Sequence, residues 1–217
     1  MKPYYEQDGI TIYHGDCRDV MKAFPSCFRV SVVLSDLPYG VNESYASYKD
    51  TPEALDALIP LVLPEMLRIA DGRVALFVGA KNAFKYPRPS WSLMWITTAG
   101  IGCGPWGFCC WQPLLVWGGD PLLRDGGGSR PDVFMCSDPS PKNGHPCPKP
   151  PAVMRWAVNR VSRVGETILD PFMGSGSTLV EAKRLGRKAI GIELEEKYCE
   201  IAAKRLAQGA LPMEFTA

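Results

Sequence analysis

The stretch from 166 to 206, "ETILDPFMGSGSTLVEAKRLGRKAIGIELEEKYCEIAAKRL", constrains the fold more than any other part of the sequence. Its apolar spacing predicts a strand that ends at Asp170, a glycine loop, a helix over about 177–185 and a second strand that ends at Glu193. A further helix follows. Two strands joined by a helix in this way lie parallel and form a right-handed crossover. This part of the chain is therefore predicted to be an α/β unit.

The glycine loop of this unit is placed to bind a nucleoside. Gly174 and Gly176 let the backbone come close to a ligand at a helix N-terminus, where free N–H groups favour a carboxylate or a phosphate. Glu193 lies nineteen residues after Gly174, where an acid can hold the hydroxyls of a ribose. The third glycine of a dinucleotide fingerprint and the Gly-Lys-Ser/Thr of a phosphate-binding loop are both absent. A nucleoside with a small charged group fits better than a pyrophosphate.

The rest of the chain repeats the alternation of strands and helices. The runs "ITIYHGD", "RVSVVLSD" and "RVALFVG" predict strands. A helix is predicted from a Thr51 cap, with Pro60 and Pro64 bending or splitting it, and another begins at Pro151. The predicted fold class is α/β, a mostly parallel Rossmann-like sheet with helices on both faces. We expect one domain over 1–217, with a short insertion or recognition region around 118–148.

One segment imitates a membrane span, because no residue from Pro89 to Gly119 is charged. Its glycines and prolines favour instead two buried strands, "SLMWITTA" and "FCCWQPLLVW", joined by a glycine-rich turn. We expect no membrane partner. The N-terminus lacks the apolar core of a signal peptide. The eight cysteines form no Cys-x-x-Cys pair, and Cys136, His145 and Cys147 lack an obvious fourth ligand, so we expect reduced thiols, no metal and a cytoplasmic location.

The stretch "SDLPYG" follows a buried strand and ends it on a carboxylate, Asp36. An exocyclic amine of a nucleobase is a poor nucleophile, because its lone pair is delocalised into the ring. Two acceptors on its hydrogens would free that lone pair, and the Asp36 carboxylate and the Leu37 carbonyl can be the two. Pro38 fixes the turn, and Tyr39 offers its ring to the base. This chemistry needs a base extruded from the duplex, and stacking offsets part of the cost.

These motifs resemble those of the S-adenosylmethionine-dependent DNA amino-methyltransferases. "DLPYG" is similar to the family's Asp-Pro-Pro-Tyr motif, and "DPFMGSGST" is similar to its cofactor motif. "IYHGDC" resembles the segment that contacts the cofactor's adenine, and "HPCPKP" resembles a His-Pro-x-x-Lys-Pro element. The catalytic motif comes first, which is the order of the permuted beta class. The resemblance covers roughly residues 10–85 and 143–207.

The resemblance implies a role for each matching residue. The target base would contact Asp36, Leu37, Pro38 and Tyr39, with Leu37 standing where the family usually has proline. The cofactor's adenine would lie by Asp16 and Cys17, and Glu193 would hold its ribose. The cofactor loop would comprise Asp170, Phe172, Gly174, Ser175, Gly176 and Ser177. His145 and Lys149 would lie near the methionine end of the cofactor.

The function that the resemblance implies is site-specific methylation of DNA, as in restriction-modification. A methyl group would pass from S-adenosylmethionine to the N6 amine of a flipped adenine in double-stranded DNA. N4 of cytosine is the first alternative, although its enzymes more often begin the motif with serine. An RNA methyltransferase and a catalytically silent nucleic-acid-binding domain are further alternatives. A nicotinamide-dependent oxidoreductase would leave "DLPYG" unexplained.

Two further readings concern cysteine chemistry and target recognition. Pro146-Cys147 is similar to the nucleophilic Pro-Cys of cytosine carbon-5 methyltransferases, but it follows no predicted strand. Recognition would fall to 118–148 and the loop "VNESYASYKD", which are short, so we expect a short or relaxed target sequence. Candidate phosphate contacts, each of them also readable as a solvated surface charge, are Arg124, Arg130, Lys142 and Lys149. The residues do not define an oligomeric state.

Overall fold

The computed structural model describes residues 2–43, 47–98, 100–123, 126, 128–141, 144 and 146–208. The strands are β1 (Tyr5–Gln7), β2 (Ile10–His14), β3 (Val32–Asp36), β4 (Val74–Phe77), β5 (Trp91–Ile96), β6 (Cys103–Gly104), β7 (Gly107–Phe108), β8 (Trp111–Trp117), β9 (Val133–Met135), β10 (Thr167–Asp170) and β11 (Lys188–Glu193). The helices are α1 (Cys17–Ala23), α2 (Pro52–Ile69), α3 (Pro151–Val161), α4 (Ser177–Arg184) and α5 (Glu196–Gln208), with a short 3₁₀ helix over Ala80–Lys85.

Nine strands form one sheet in the order β1-β2-β11-β10-β3-β4-β8-β5-β9. The five strands β2, β11, β10, β3 and β4 are parallel to one another. The predicted α/β sheet is confirmed. From β10 the chain passes to β11 on one side, and from β3 it passes to β4 on the other, so the connections reverse direction between β3 and β10. Ligands of such sheets bind outside the carboxyl ends of the strands at this point of reversal.

Alternation along the strands places helices on both faces of the sheet. In β3, Val32 and Leu34 join a core cluster with residues of α3, α4 and α5. Val33, between them, joins a second cluster with residues of α1 and α2. Because both faces of the central strands are covered, β4 consists of four buried apolar residues and β3 begins with three of them, as parallel strands commonly do.

Helix α2 differs from the sequence prediction in being continuous. The Thr51 hydroxyl caps its first turn by accepting from the Ala54 N–H at 3.2 Å, and Pro52 occupies the first helical position. Pro60 and Pro64 lie inside the helix without splitting it. Each proline removes a backbone hydrogen bond. Seven apolar side chains on the buried face of α2 offset that loss by packing against the sheet.

The uncharged segment contains the two predicted strands. β5 and β8 pair antiparallel, from Trp91 opposite Val116 to Ile96 opposite Trp111. The glycine-rich connection holds a small hairpin of β6 and β7, with Trp106 fully exposed at its turn. No helix among the described residues is long and apolar enough to cross a membrane.

The region 118–148 was predicted as a loop or insertion, and it contributes one strand to the sheet. β9 pairs parallel with the outer edge of β5, with Val133 opposite Met94. The Trp95 indole N–H donates to the Cys136 carbonyl at 2.8 Å, which fastens the end of β9. In the parts of the chain that the structure describes, no group of three or more His, Cys, Asp or Glu side chains is arranged to hold a metal ion.

Candidate active site

A crevice of about 990 Å³ lies at the carboxyl ends of the central strands. The "DLPYG" motif after β3 and the glycine loop after β10 both line it. The two strand ends are joined directly, since the buried Ser35 hydroxyl donates to Asp170 Oδ1 at 2.6 Å. The two motifs therefore line one crevice, as the sequence predicted.

Asp36 stands at the centre of a hydrogen-bonded group. Its Oδ1 accepts from the Tyr39 hydroxyl, and its Oδ2 accepts from Lys149 Nζ at 2.5 Å. The Tyr39 hydroxyl also accepts from Lys149 Nζ at 2.5 Å and from the Gln112 side-chain amide. These contacts fix the Tyr39 ring and the Asp36 carboxylate relative to each other.

Leu37, the departure from the family motif, has a packing role. Its side chain is 2 % exposed and lies in the core cluster with α1 and α2. Its N–H donates to the Phe77 carbonyl of β4 at 3.4 Å. The backbone therefore continues the sheet for one residue beyond β3, and core packing holds the turn that a proline would otherwise stiffen.

Three residues that the sequence did not single out shape the backbone after Tyr39. The buried Asp50 carboxylate accepts from the N–H groups of Gly40, Val41 and Glu43 at 2.6, 3.1 and 3.2 Å. The Asn82 amide donates to the Tyr39 carbonyl at 2.6 Å. At Gly79, a Cβ atom would lie 2.9 Å from the Tyr39 Cβ, so only glycine fits beside the ring.

The glycine loop is tied to the end of β11. The Gly174 N–H donates to Glu193 Oε2 at 2.9 Å, and the Glu195 N–H donates to Glu193 Oε1 at 2.8 Å. Gly174 and Gly176 both have positive φ, at +51° and +79°. No side chain caps the N-terminus of α4 at Gly176. The end of β11 and the start of α4 thus present a carboxylate and backbone donors to the same part of the crevice.

Gly176 has a second reason to be glycine, which the sequence did not reveal. A Cβ atom there would lie 2.7 Å from the Ala202 Cβ of α5. The Arg205 guanidinium of α5 also donates to the Ser175 carbonyl at 2.5 Å. The last helix therefore packs directly on the loop and supports its shape.

Two carboxyl groups of the crevice have raised pKa values. Burial raises the pKa of Asp170 from its ordinary 3.8 to about 6, although donors that include Ser35 and the Phe172 N–H oppose the shift. Burial also raises the pKa of Glu193, while the N–H groups of Glu195 and Gly174 oppose it. Perturbed groups of this kind cluster at functional sites, and structural networks produce them as well.

Asp16 and Cys17 line the same crevice at the end of β2, next to β11. Asp16 caps α1 by accepting from the Arg18 N–H at 2.8 Å, and it pairs with the Arg18 side chain. Hydrogen bonds from Arg18 lower the pKa of Asp16. Cys17 is buried, and burial raises the pKa of its thiol to about 12. That the two residues contact the cofactor's adenine stays a prediction.

The remaining predicted positions have different outcomes. Lys149 contacts Asp36 and Tyr39, which are predicted to bind the target base, and its own position near the methionine end of the cofactor stays a prediction. Arg130, a candidate phosphate contact, forms a salt bridge with Asp120 at 2.7 Å and donates to the Asn159 carbonyl. His145, Arg124 and Lys142 lie outside the described residues.

Cys147 does not have the properties of a nucleophile. Desolvation and the nearby Glu43 raise the pKa of its thiol to about 11. A thiol with such a pKa is protonated at neutral pH, whereas nucleophilic attack requires the thiolate. The sequence did not favour methylation of cytosine carbon 5, and the raised pKa of the Cys147 thiol is in line with this.

Comparisons with known proteins match part of this chain to DNA methyltransferases. Residues 111–204 match a family model described as DNA methylase. A type II methyltransferase, M2.LlaDCHI of Lactococcus lactis subsp. cremoris, is 50 % identical over 66 residues, which cover 30 % of this chain and only 24 % of that protein.

Solved structures align over nearly the whole chain. M1.HpyAVI in complex with S-adenosylmethionine superposes with a TM-score of 0.71 at 21 % identity, covering 91 % of this chain and 98 % of that one. The PvuII DNA methyltransferase, described as cytosine-N4-specific, superposes with a TM-score of 0.75 at 14 % identity, covering 99 % and 91 %. At these identities the likeness establishes the fold.

The fold is the one that these solved DNA methyltransferases share. Over residues 111–204 the chain is similar to the N6-adenine and N4-cytosine amino-methyltransferases, the family that its motifs resemble.

Proposed function

We propose that this protein transfers a methyl group from S-adenosylmethionine to an exocyclic amine of double-stranded DNA, with N6 of adenine as the preferred acceptor. The observation that carries the proposal is the crevice itself. Asp36 and Glu193 end two strands of one sheet, and the Ser35–Asp170 hydrogen bond connects the ends of β3 and β10, from which the two lining loops start. A base and a nucleoside cofactor can meet there.

The residues of the crevice fit the cofactor chemically. Glu193 keeps acceptor capacity for ribose hydroxyls, because a carboxylate has about four lone-pair sites and the N–H groups of Gly174, Leu194 and Glu195 do not fill them. The uncapped N-terminus of α4 provides donors for a small charged group. Phe172 and Ile192 add apolar lining. When bound, S-adenosylmethionine supplies an electrophilic methyl group.

The chain's own residues would activate the amine. The Asp36 carboxylate and the Leu37 carbonyl accept hydrogen bonds from the two N–H groups of the amine, which frees the nitrogen lone pair. That lone pair forms the new bond to the methyl carbon as the carbon–sulfur bond breaks, and Asp36 accepts the proton that the amine loses. Tyr39 stacks on the extruded base. No covalent intermediate with the protein is needed, so positioning accounts for most of the rate.

The choice of base rests on Asp36, since the cytosine-N4 enzymes more often have serine at the first position of the motif. Cytosine N4 is the alternative, because the same acceptor pair can hold its amine. RNA methylation is the second alternative, and nucleic-acid binding without catalysis is the third.

Target recognition is a separate question. We propose that recognition uses 118–148 and the loop after Tyr39 and that the target sequence is short or relaxed. Methylation confined to one long site in a treated genome would contradict this.

The test is a transfer assay with methyl-labelled S-adenosylmethionine. Unmodified double-stranded DNA and RNA of the same sequence are offered separately, and the Asp36→Ala variant serves as the inactive control. The proposal predicts label in DNA with wild-type protein alone. Label in RNA only would reassign the substrate, and binding of DNA and cofactor without any transfer would identify a silent domain.

A further inference from the structure

Gln112 is a buried polar residue to which the proposed reaction assigns no part. It is 3 % exposed and lies in β8, which runs beside β4. The Val78 N–H donates to the Pro113 carbonyl at 3.2 Å, so the antiparallel pairing of the two strands continues past the end of β4. This pairing brings the Gln112 side chain to Tyr39, and its amide donates to the Tyr39 hydroxyl.

The Tyr39 hydroxyl contacts a carboxylate, an ammonium group and this amide. It donates to Asp36 Oδ1, and it accepts from Lys149 Nζ at 2.5 Å and from the Gln112 amide. An ionised carboxylate can only accept a hydrogen bond, and an ammonium group can only donate one. The single proton of the hydroxyl therefore lies towards Asp36. For the same reason Gln112 must present its NH2 group, and not its carbonyl oxygen, to the hydroxyl.

The direction of the Tyr39 proton matters for Asp36. Tyr39 donates to Oδ1 of this carboxylate, and Lys149 donates to Oδ2 at 2.5 Å. A carboxylate has about four acceptor sites, so about two remain for the target amine. Donors on both oxygens restrict the rotation of the carboxylate, and they thereby set the direction of the open sites. A Tyr39 proton turned towards another acceptor would release one of the two oxygens.

We propose that Gln112 is a positioning residue that acts through the Tyr39 hydroxyl. Its amide keeps the proton of that hydroxyl on Asp36, and so it holds both the carboxylate and the Tyr39 ring in the places that the target base requires. The role needs no contact between Gln112 and the base or the cofactor. The inference rests on the proposed function of Asp36 and Tyr39.

The test is a double-mutant cycle on methyl transfer. Gln112→Met keeps the length of the side chain and removes its donor, whereas Tyr39→Phe keeps the ring and removes the hydroxyl. Wild type, the two single variants and the double variant are assayed at saturating S-adenosylmethionine with varied duplex DNA, which gives kcat and KM. If Gln112 acts through the hydroxyl, the two losses in kcat will not add.

Gln112→Met should lower kcat by about three- to tenfold in the wild-type background, the size of one hydrogen bond, and by less than about twofold in Tyr39→Phe. Gln112→Glu should lower kcat by about thirtyfold, because the new carboxylate competes with Asp36 for the Tyr39 proton. Gln7→Met is the matched control. Gln7 also bonds a tyrosine hydroxyl, that of Tyr5 at 3.2 Å, but it lies on the exposed strand β1, so kcat and KM should not change.

Equal losses from Gln112→Met in the two backgrounds would overturn the inference and leave the proposed function standing. A Gln112→Glu variant as active as Gln112→Met would overturn it as well, and this ranking decides if Tyr39→Phe is inactive. No transfer by wild-type protein that binds the cofactor would overturn both proposals. Unfolding curves show whether each variant is folded. If Gln112→Met is unfolded, Gln112→Leu takes its place in the cycle with the same expectation.

Discussion

The β10–α4–β11 unit and the segment 100–141 differ in how their structure arises. The unit closes on itself, with β10 and β11 paired in register from Thr167 opposite Lys188 and one helix between them. The central segment contributes β8 and β9, which pair with strands distant in the sequence. The structure of the β10–α4–β11 unit follows from its local sequence pattern. The structure of the segment 100–141 depends on pairing with strands that lie far away in the sequence. The candidate site draws on both, because Glu193 at the end of β11 and Gln112 of β8 line the same crevice.

The largest expected effect is on methyl transfer, and it distinguishes the role of Asp36 from that of Glu193. Asp36→Ala should lower methyl transfer by about a thousandfold or more, because the amine loses its charged acceptor, while the cofactor Kd changes by less than about twofold. Glu193→Ala should instead raise the cofactor Kd by about tenfold or more. Calorimetric titration with S-adenosylmethionine and a transfer assay at saturating cofactor measure the pair. Loss of cofactor binding in Asp36→Ala would contradict the division.

A substitution at Gly176 tests the packing of the glycine loop. Gly176→Ala should lower the free energy of unfolding by about 3 kcal/mol, because positive φ is strained for alanine and the new Cβ meets Ala202. Gly72→Ala is the control, with φ of +86° and nothing within 4 Å of the new atom. It should cost only about 1 kcal/mol. Urea unfolding measures both, and equal costs would show that the contact with α5 is unimportant.

The buried Asp170 predicts a pH dependence of stability. Its pKa is raised in the folded protein to about 6, so the folded state binds its proton more tightly than the unfolded chain does. Stability from this group is complete below about pH 4 and is lost as pH rises through about 6. Relative to wild type, Asp170→Asn should gain roughly 2 kcal/mol between pH 4 and pH 7. A difference between the two proteins that stays constant with pH would contradict the shift.

The smallest effect concerns the central segment. Trp106 is fully exposed on the β6–β7 hairpin, whose base lines the crevice through Gly102, Cys103 and Cys109. If this hairpin contacts DNA, Trp106→Ala should weaken DNA binding by about fivefold, the size of one weak stacking contact, without changing the unfolding curve. Trp106→Phe should lose less. Unchanged affinity of Trp106→Ala at fixed salt would place the hairpin outside the interface.

The sequence predicted the elements that local pattern determines. The strand that ends at Asp170, the helix that begins at Ser177 and the strand that ends at Glu193 were all placed correctly. β9 was missed, because Val133–Met135 is short and its pairing with β5 depends on the rest of the sheet. Pro60 and Pro64 predicted a bend or break in α2, but the helix is continuous because its buried face packs against the sheet.

The site was predictable only in part for the same reason. Asp36 and Glu193 were found because each ends a strand in a spacing with chemical meaning. Gln112 carried a weak signal, as the one polar side chain of "WQPLLVW". Its partner became visible only once β8 lay beside β4. Asp50 and Asn82 act on the backbone after Tyr39, and no sequence spacing links them to it.

The most direct test of the central claim identifies the methylated nucleoside. The protein is incubated with S-adenosylmethionine and unmodified DNA, the DNA is digested to nucleosides, and the products are analysed by mass spectrometry. We expect N6-methyladenine, whereas N4-methylcytosine would keep the mechanism and change the base. A product methylated on carbon, or no methylated nucleoside from a protein that binds the cofactor, would contradict the assignment of Asp36 as the acceptor of a target amine.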